Sequence, residues 1–109
     1  MIRPEDCGVG EFTKSVEKDQ EIFLVGEKAF LVCHKNTIEV RTDAKLKDVL
    51  IERYESVMES RYFGRGGIEV VLSGQLKEDE VRDLVRLSYD LTAQHHTSGE
   101  GDEDLRGLL

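Results

Sequence analysis

Between residues 22 and 41 the chain holds three short strand-type runs with almost nothing between them. That spacing limits the fold more than any other feature. Ile22-Phe23-Leu24-Val25 is continuously apolar, Gly26-Glu27 has the length of a hairpin turn, and Ala29-Phe30-Leu31-Val32-Cys33 is a second run ended by Lys35-Asn36. Thr37-Ile38-Glu39-Val40-Arg41 then alternates polar and apolar residues, the period of a half-buried strand. Parallel neighbours need a crossover of a dozen or more residues, whereas two-residue links join antiparallel ones. The spacing therefore predicts a three-stranded antiparallel meander.

Downstream the period changes. Thr42 or Asp43 can cap a helix over about residues 44–54, in which Leu46, Val49, Leu50 and Tyr54 recur at helical spacing. Lys45, Lys47, Asp48 and Glu52 are expected to face water. Residues 57–63 have strand character, Gly64-Arg65-Gly66-Gly67 breaks it, and Ile68-Glu69-Val70-Val71-Leu72 is a further strand. The strongest helix follows at about residues 77–93. Glu78, Asp79 and Glu80 lie in its first turn, where acids favour the dipole, and Val81, Leu84, Val85, Ser88 and Leu91 form a buried stripe. Before the meander, Phe12 and Val16 are four apart, enough for one short helix at most.

The order β-β-β-α-β-β-α predicts a two-layer α+β fold. An antiparallel sheet of about five strands carries two helices on one face, which buries the apolar side of both layers. Ile22, Leu24, Phe30, Val32, Ile38, Val40, Leu46, Leu50, Ile68, Val70, Leu72, Val81, Leu84, Val85 and Leu91 are expected to form one core. The other face, with Thr37, Glu39, Arg41, Arg61 and Glu69, is charged and is expected to stand in water. By domain, residues 1–20 read as a weakly structured segment or short helix, 21–94 as the α+β domain, and 95–109 as a flexible acidic tail.

At 109 residues and a net charge of -8, the chain suits a single domain that repels polyanions. The tail alone has four acids against Arg106, and the body is acidic as well. Cys7 and Cys33 form neither a disulfide framework nor a CxxC motif, the usage of a reducing compartment. Met1-Ile2-Arg3-Pro4-Glu5-Asp6 lacks the apolar stretch of a signal peptide, and no apolar run is long enough to span a bilayer. A cytoplasmic protein with no membrane contact is expected.

No motif points to catalysis, a metal or a cofactor. Cys33 and His34 are neighbours in a strand, so their side chains point to opposite faces. His95 and His96 are adjacent and lie about 100° apart on a helix; a metal would need His34 or a carboxylate to join them. Gly64-Arg65-Gly66-Gly67 lacks the Gly-Lys-Ser/Thr ending of a phosphate loop and precedes a strand, so a hairpin turn explains its glycines better. Glu78, Asp79, Glu80 and Asp83 read as a capping cluster.

Several strings, in this order, resemble the MmcQ/YjbR family: Gly26-Glu27-Lys28-Ala29-Phe30, Val40-Arg41-Thr42-Asp43, Glu52-Arg53-Tyr54, Tyr62-Phe63-Gly64-Arg65-Gly66-Gly67-Ile68-Glu69-Val70-Val71-Leu72 and Leu87-Ser88-Tyr89-Asp90-Leu91. The segment that carries them, residues 22–93, is about two thirds of the chain. Ile68 stands where the family has a tryptophan-type residue, the N-terminal helix is shortened, and the acidic tail is additional. The resemblance implies a CyaY-like fold, a DNA-binding label, and neither cofactor nor reaction.

Two readings follow. One is a non-enzymatic binding module of the MmcQ/YjbR type that holds DNA weakly; the other is an acidic interaction or adaptor domain for a basic protein. Both place the acting surface on the open sheet face and the glycine turn: Arg41, Arg61, Tyr62, Gly64, Arg65, Gly66 and Gly67.

Overall fold

The computed structural model describes residues 2–98, with side chains through residue 94. Its core element is an antiparallel sheet of six strands in the order β1-β2-β3-β4-β6-β5. The strands are β1 (Thr13–Glu17), β2 (Gln20–Val25), β3 (Lys28–Cys33), β4 (Thr37–Arg41), β5 (Val57–Ser60) and β6 (Gly64–Val71). Helix α1 (Ala44–Arg53) lies against β5 and β6, and α2 (Glu78–Ser98) against β2, β3 and β4. Both helices cover one face, as the burial argument requires. Among the described residues no helix is long and apolar enough to cross a membrane.

The meander forms as its spacing dictates. Gly26 and Glu27 both take positive φ, 58° and 69°, the geometry of a two-residue hairpin turn whose twist matches the strands it joins. The Asp43 carboxylate caps α1 by accepting from the Leu46 amide at 2.8 Å. At the start of α2 the Glu80 side chain reaches back to the Lys77 amide at 2.8 Å, half of a capping box. The acidic cluster there is thus used in capping.

Some expectations need correction. Residues 13–17 form a sixth strand and not a helical turn. Every residue of β1 is exposed, so no apolar alternation marks it; Phe12 just before it packs edge-on against Phe23 and Phe30, with ring centroids 5.7 and 6.3 Å away. The N-terminal helix is a single 3-10 turn at Pro4–Asp6, and Cys7 beside it is buried. Helix α2 extends to Ser98, past the expected end near residue 93. The expectation of a mobile tail over residues 99–109 lies outside the described residues.

The expected single core is two clusters on opposite faces. Phe23, Phe30, Leu31, Ile38, Val40, Val57, Ile68 and Val70 meet Val81, Leu84 and Val85 of α2 under the helices. Ile22, Ala29 and Val32, with Leu24 and Phe63, cluster on the other face. A register shift between Phe23 and Leu24, opposite Phe30, divides them: a bulge puts Phe30 and its neighbour Leu31 on the same side and breaks the two-residue period. Ser88 of α2 seals the irregularity. Its hydroxyl donates to the Phe30 carbonyl at 2.6 Å and accepts from the Arg41 amide at 2.8 Å. Lys47 was expected in water but is buried, and its ammonium donates to Glu59 at 2.9 Å and to the Arg65 carbonyl at 3.1 Å. A long stem can lie along α1's apolar side while its head finds oxygen.

Candidate functional site

Glu39 on β4 and Glu69 on β6 are direct cross-strand partners on the face away from the helices. Two carboxylates placed opposite one another repel, and in water they would splay apart. Here they are 1% and 3% exposed. The expectation that this face stands open in water is therefore corrected. The connection after β5, Arg61-Tyr62-Phe63, folds back over it, and Phe63 covers Ile22, Ala29 and Val32.

What holds the carboxylates is a set of donors, several from that same connection. Glu39 Oε1 accepts from the Ser60 hydroxyl and the Tyr62 amide, each at 2.7 Å. Glu39 Oε2 lies 2.5 Å from His34 Nε2. Glu69 accepts from Arg61 Nε at 2.9 Å and Nη2 at 2.7 Å, and from the Thr37 hydroxyl at 2.8 Å. The Ser60 hydroxyl in turn accepts from the Phe63 amide at 2.8 Å. Burial pushes the Glu39 carboxyl up, but the hydrogen bonds from Ser60, the Tyr62 amide and His34 outweigh it and hold it below its ordinary value. The Arg61 guanidinium is pushed up by its bond to Glu69. A buried pair of acids is tolerable only when its lone pairs are filled, and here each oxygen has at least one partner.

His34, Glu39 and Glu69 bring ligand-type atoms within 4.8 Å of one another. A divalent ion there would have to displace Arg61 and the Ser60 and Thr37 hydroxyls, so the donor set fits a structural clamp better than a metal centre. His34 is half-buried and engaged with Glu39. The sequence offered one signal for this network: acids at matching positions of two strands on a face that also had arginines.

The residues expected at the acting surface divide. Gly64, Arg65, Gly66 and Gly67 begin β6; the turn itself is Arg61-Tyr62-Phe63. Gly64 has φ of 61°. Gly67 is needed for close approach: a Cβ there would meet the Val40 carbonyl and stand 2.8 Å from Phe63 Cβ. Arg61 is spent on Glu69, while Arg65 is exposed and pairs with no carboxylate among the described residues. Tyr62 is 47% exposed and stacks edge-on against Phe63, centroids 5.0 Å apart.

Arg41 is bonded to neither Glu39 nor Glu69. Its Nε donates to the Ala29 carbonyl at 2.8 Å, and its guanidinium carbon sits 4.7 Å over the Phe63 ring, a cation–π contact. Burial pushes it down from its ordinary value, with Tyr62 pulling weakly the other way. It lines a cleft of about 530 Å³ at the end of the sheet, with Lys28, Thr42, Tyr62 and Gly66. Thr42 is 8% exposed, its amide donates to the Gly66 carbonyl at 3.0 Å, and its hydroxyl has no partner among the described residues. An unsatisfied buried hydroxyl costs about 1–3 kcal/mol.

Residues 8–91 match the protein family described as YjbR. No curated protein matches the chain. A crystal structure of a protein from Pseudomonas syringae, a Northeast Structural Genomics Consortium target, is similar in fold with a TM-score of 0.63; the match covers 74% of this chain and 86% of that one at 17% sequence identity.

Proposed function

The chain belongs to the YjbR family, and from that premise we propose that it is a binding module without a reaction of its own, which holds a protein partner against the turn after β5. One observation carries the reading: the titratable groups that converge on this face are consumed in fixing that turn. Acid–base catalysis needs a group within reach of substrate and free to exchange its proton, whereas Glu39 and Glu69 are buried and internally bonded. The thiols are no better placed as nucleophiles, since burial pushes Cys33 up to about 12 and raises Cys7 too.

A fixed turn suits recognition because its ordering is complete before the partner arrives. It presents Tyr62, and Met58, 41% exposed, lies on the same sheet face as Glu69. Tyr and Met are enriched at protein interfaces. A net charge of -8 favours a partner with a basic rim.

The competing reading, DNA binding, would need several cations set against phosphates. Of the three arginines expected to supply them, Arg61 is neutralised by Glu69 and Arg41 is half-buried over Phe63. Salt-dependent titration against duplex and single-stranded DNA separates the readings, together with affinity capture by the wild type and by a folded Tyr62→Ala, Arg65→Glu variant. The module reading expects negligible DNA affinity at physiological salt and a captured partner that the variant loses. Sub-micromolar, sequence-selective DNA binding would overturn it.

A further inference from the structure

We propose that the cleft around Arg41 is a binding site for a small monocarboxylate, beside the protein-docking turn and sharing only Tyr62 with it. Two observations point to the ligand's chemistry. The first is a guanidinium that is half-buried, pairs with no carboxylate among the described residues, and has its Nε committed to Ala29. Its Nη donors remain, and an arginine fork matches a planar carboxylate. The second is the Thr42 hydroxyl, more than nine-tenths buried and without a partner among the described residues, on a residue that lines the same cleft.

The surroundings set the class of anion. Glu27, Lys28 and Asp43 join Arg41 in lining the cleft, two acids and two bases in all. With the lining already balanced, a phosphate dianion is disfavoured more than a monoanion that the Arg41 fork can hold. At about 530 Å³ the cleft lies within the range of small-molecule sites. Leu91 and Ala29 supply apolar wall for the body that carries the carboxylate.

The construction also explains why the clamp on Glu39 matters here. The Tyr62 amide is held by Glu39, and Phe63, one residue on, lies under Arg41. The turn thus shapes one wall of the cleft and fixes the guanidinium within it.

The test uses the full chain. Amide and side-chain chemical shifts are followed during titration with sodium acetate, sodium benzoate, sodium phosphate and sodium chloride at matched ionic strength. Saturable shifts at Arg41, Thr42 and Tyr62 with acetate and benzoate, absent with chloride and weaker with phosphate, are expected. Arg41→Gln should weaken carboxylate binding about 10- to 100-fold and Thr42→Val about 3- to 10-fold. Should the first variant fail to fold, the second decides, because it keeps the shape of Thr42 and its amide bond to Gly66. Carboxylates that act no differently from chloride, tighter binding of phosphate, or unchanged affinity in Thr42→Val would each overturn the assignment. Loss of a captured protein partner leaves this result unaffected, so the two readings fail separately.

Discussion

Glu39→Ala tests the clamp most directly. The substitution removes an acceptor that serves the Ser60 hydroxyl, the Tyr62 amide and His34 at 2.5–2.7 Å. The first two donors are left in a covered site, and each unsatisfied donor costs about 1–3 kcal/mol. Relief of a buried charge beside Glu69 offsets part of this, for a net loss of about 3 kcal/mol. In a domain of this size that lowers Tm by about 12–24 °C. Glu39→Gln is the control. Its carbonyl can keep Ser60 and Tyr62, and its amide can donate to a neutral His34, so the loss should be about 1 kcal/mol. Chemical denaturation followed by circular dichroism measures both. Acid adds a second readout. The folded carboxyl lies below its ordinary value, so its stabilisation is complete above the unfolded value and is lost as pH falls through the folded one. The gap between wild type and Glu39→Gln should therefore close on acidification through the carboxylate range. A Glu39→Ala variant as stable as wild type would refute the claim that the carboxylate holds the turn.

Gly67→Ala should destabilise by about 3 kcal/mol in urea unfolding, because its Cβ would meet the Val40 carbonyl and Phe63. Ser88→Ala should cost about 2–3 kcal/mol by the same assay, since the Phe30 carbonyl and Arg41 amide lose their shared partner. Thr42→Val should leave the ligand-free protein about 1 kcal/mol more stable by removing an unpaired buried hydroxyl. Tyr62→Ala should change the melting temperature little, because 47% of that residue is already exposed, while abolishing partner capture.

Much of the architecture was legible because it depends on local chemistry. The Gly26-Glu27 turn, the alternation in β4 and the caps at Asp43 and Glu80 act over a few residues. Two of the family strings, Gly26 to Phe30 and Val40 to Asp43, lie in those same elements. Less legible was β1, an exposed edge strand held by pairing with β2 and by Phe12 against the core. The candidate surface was half legible: Arg41, Tyr62 and Gly66 do share one cleft, but Arg61 turned out to be neutralised and the glycines to be strand, not turn.

The sequence by itself determined an antiparallel meander, two capped amphipathic helices over one sheet face, and an acidic charge balance, since periodicity, turn length and charge are properties of neighbouring residues. Only the tertiary structure decided which charges are free. Glu39 and Glu69 are 30 positions apart in the chain, yet register places them side by side, and the Arg61-Tyr62-Phe63 turn then buries both. The same fold leaves Arg41 over Phe63 with no ion pair to an acid among the described residues. Pairing of charges depends on register, on a bulge at Phe30 and on the path of one turn, and none of these is encoded in local pattern.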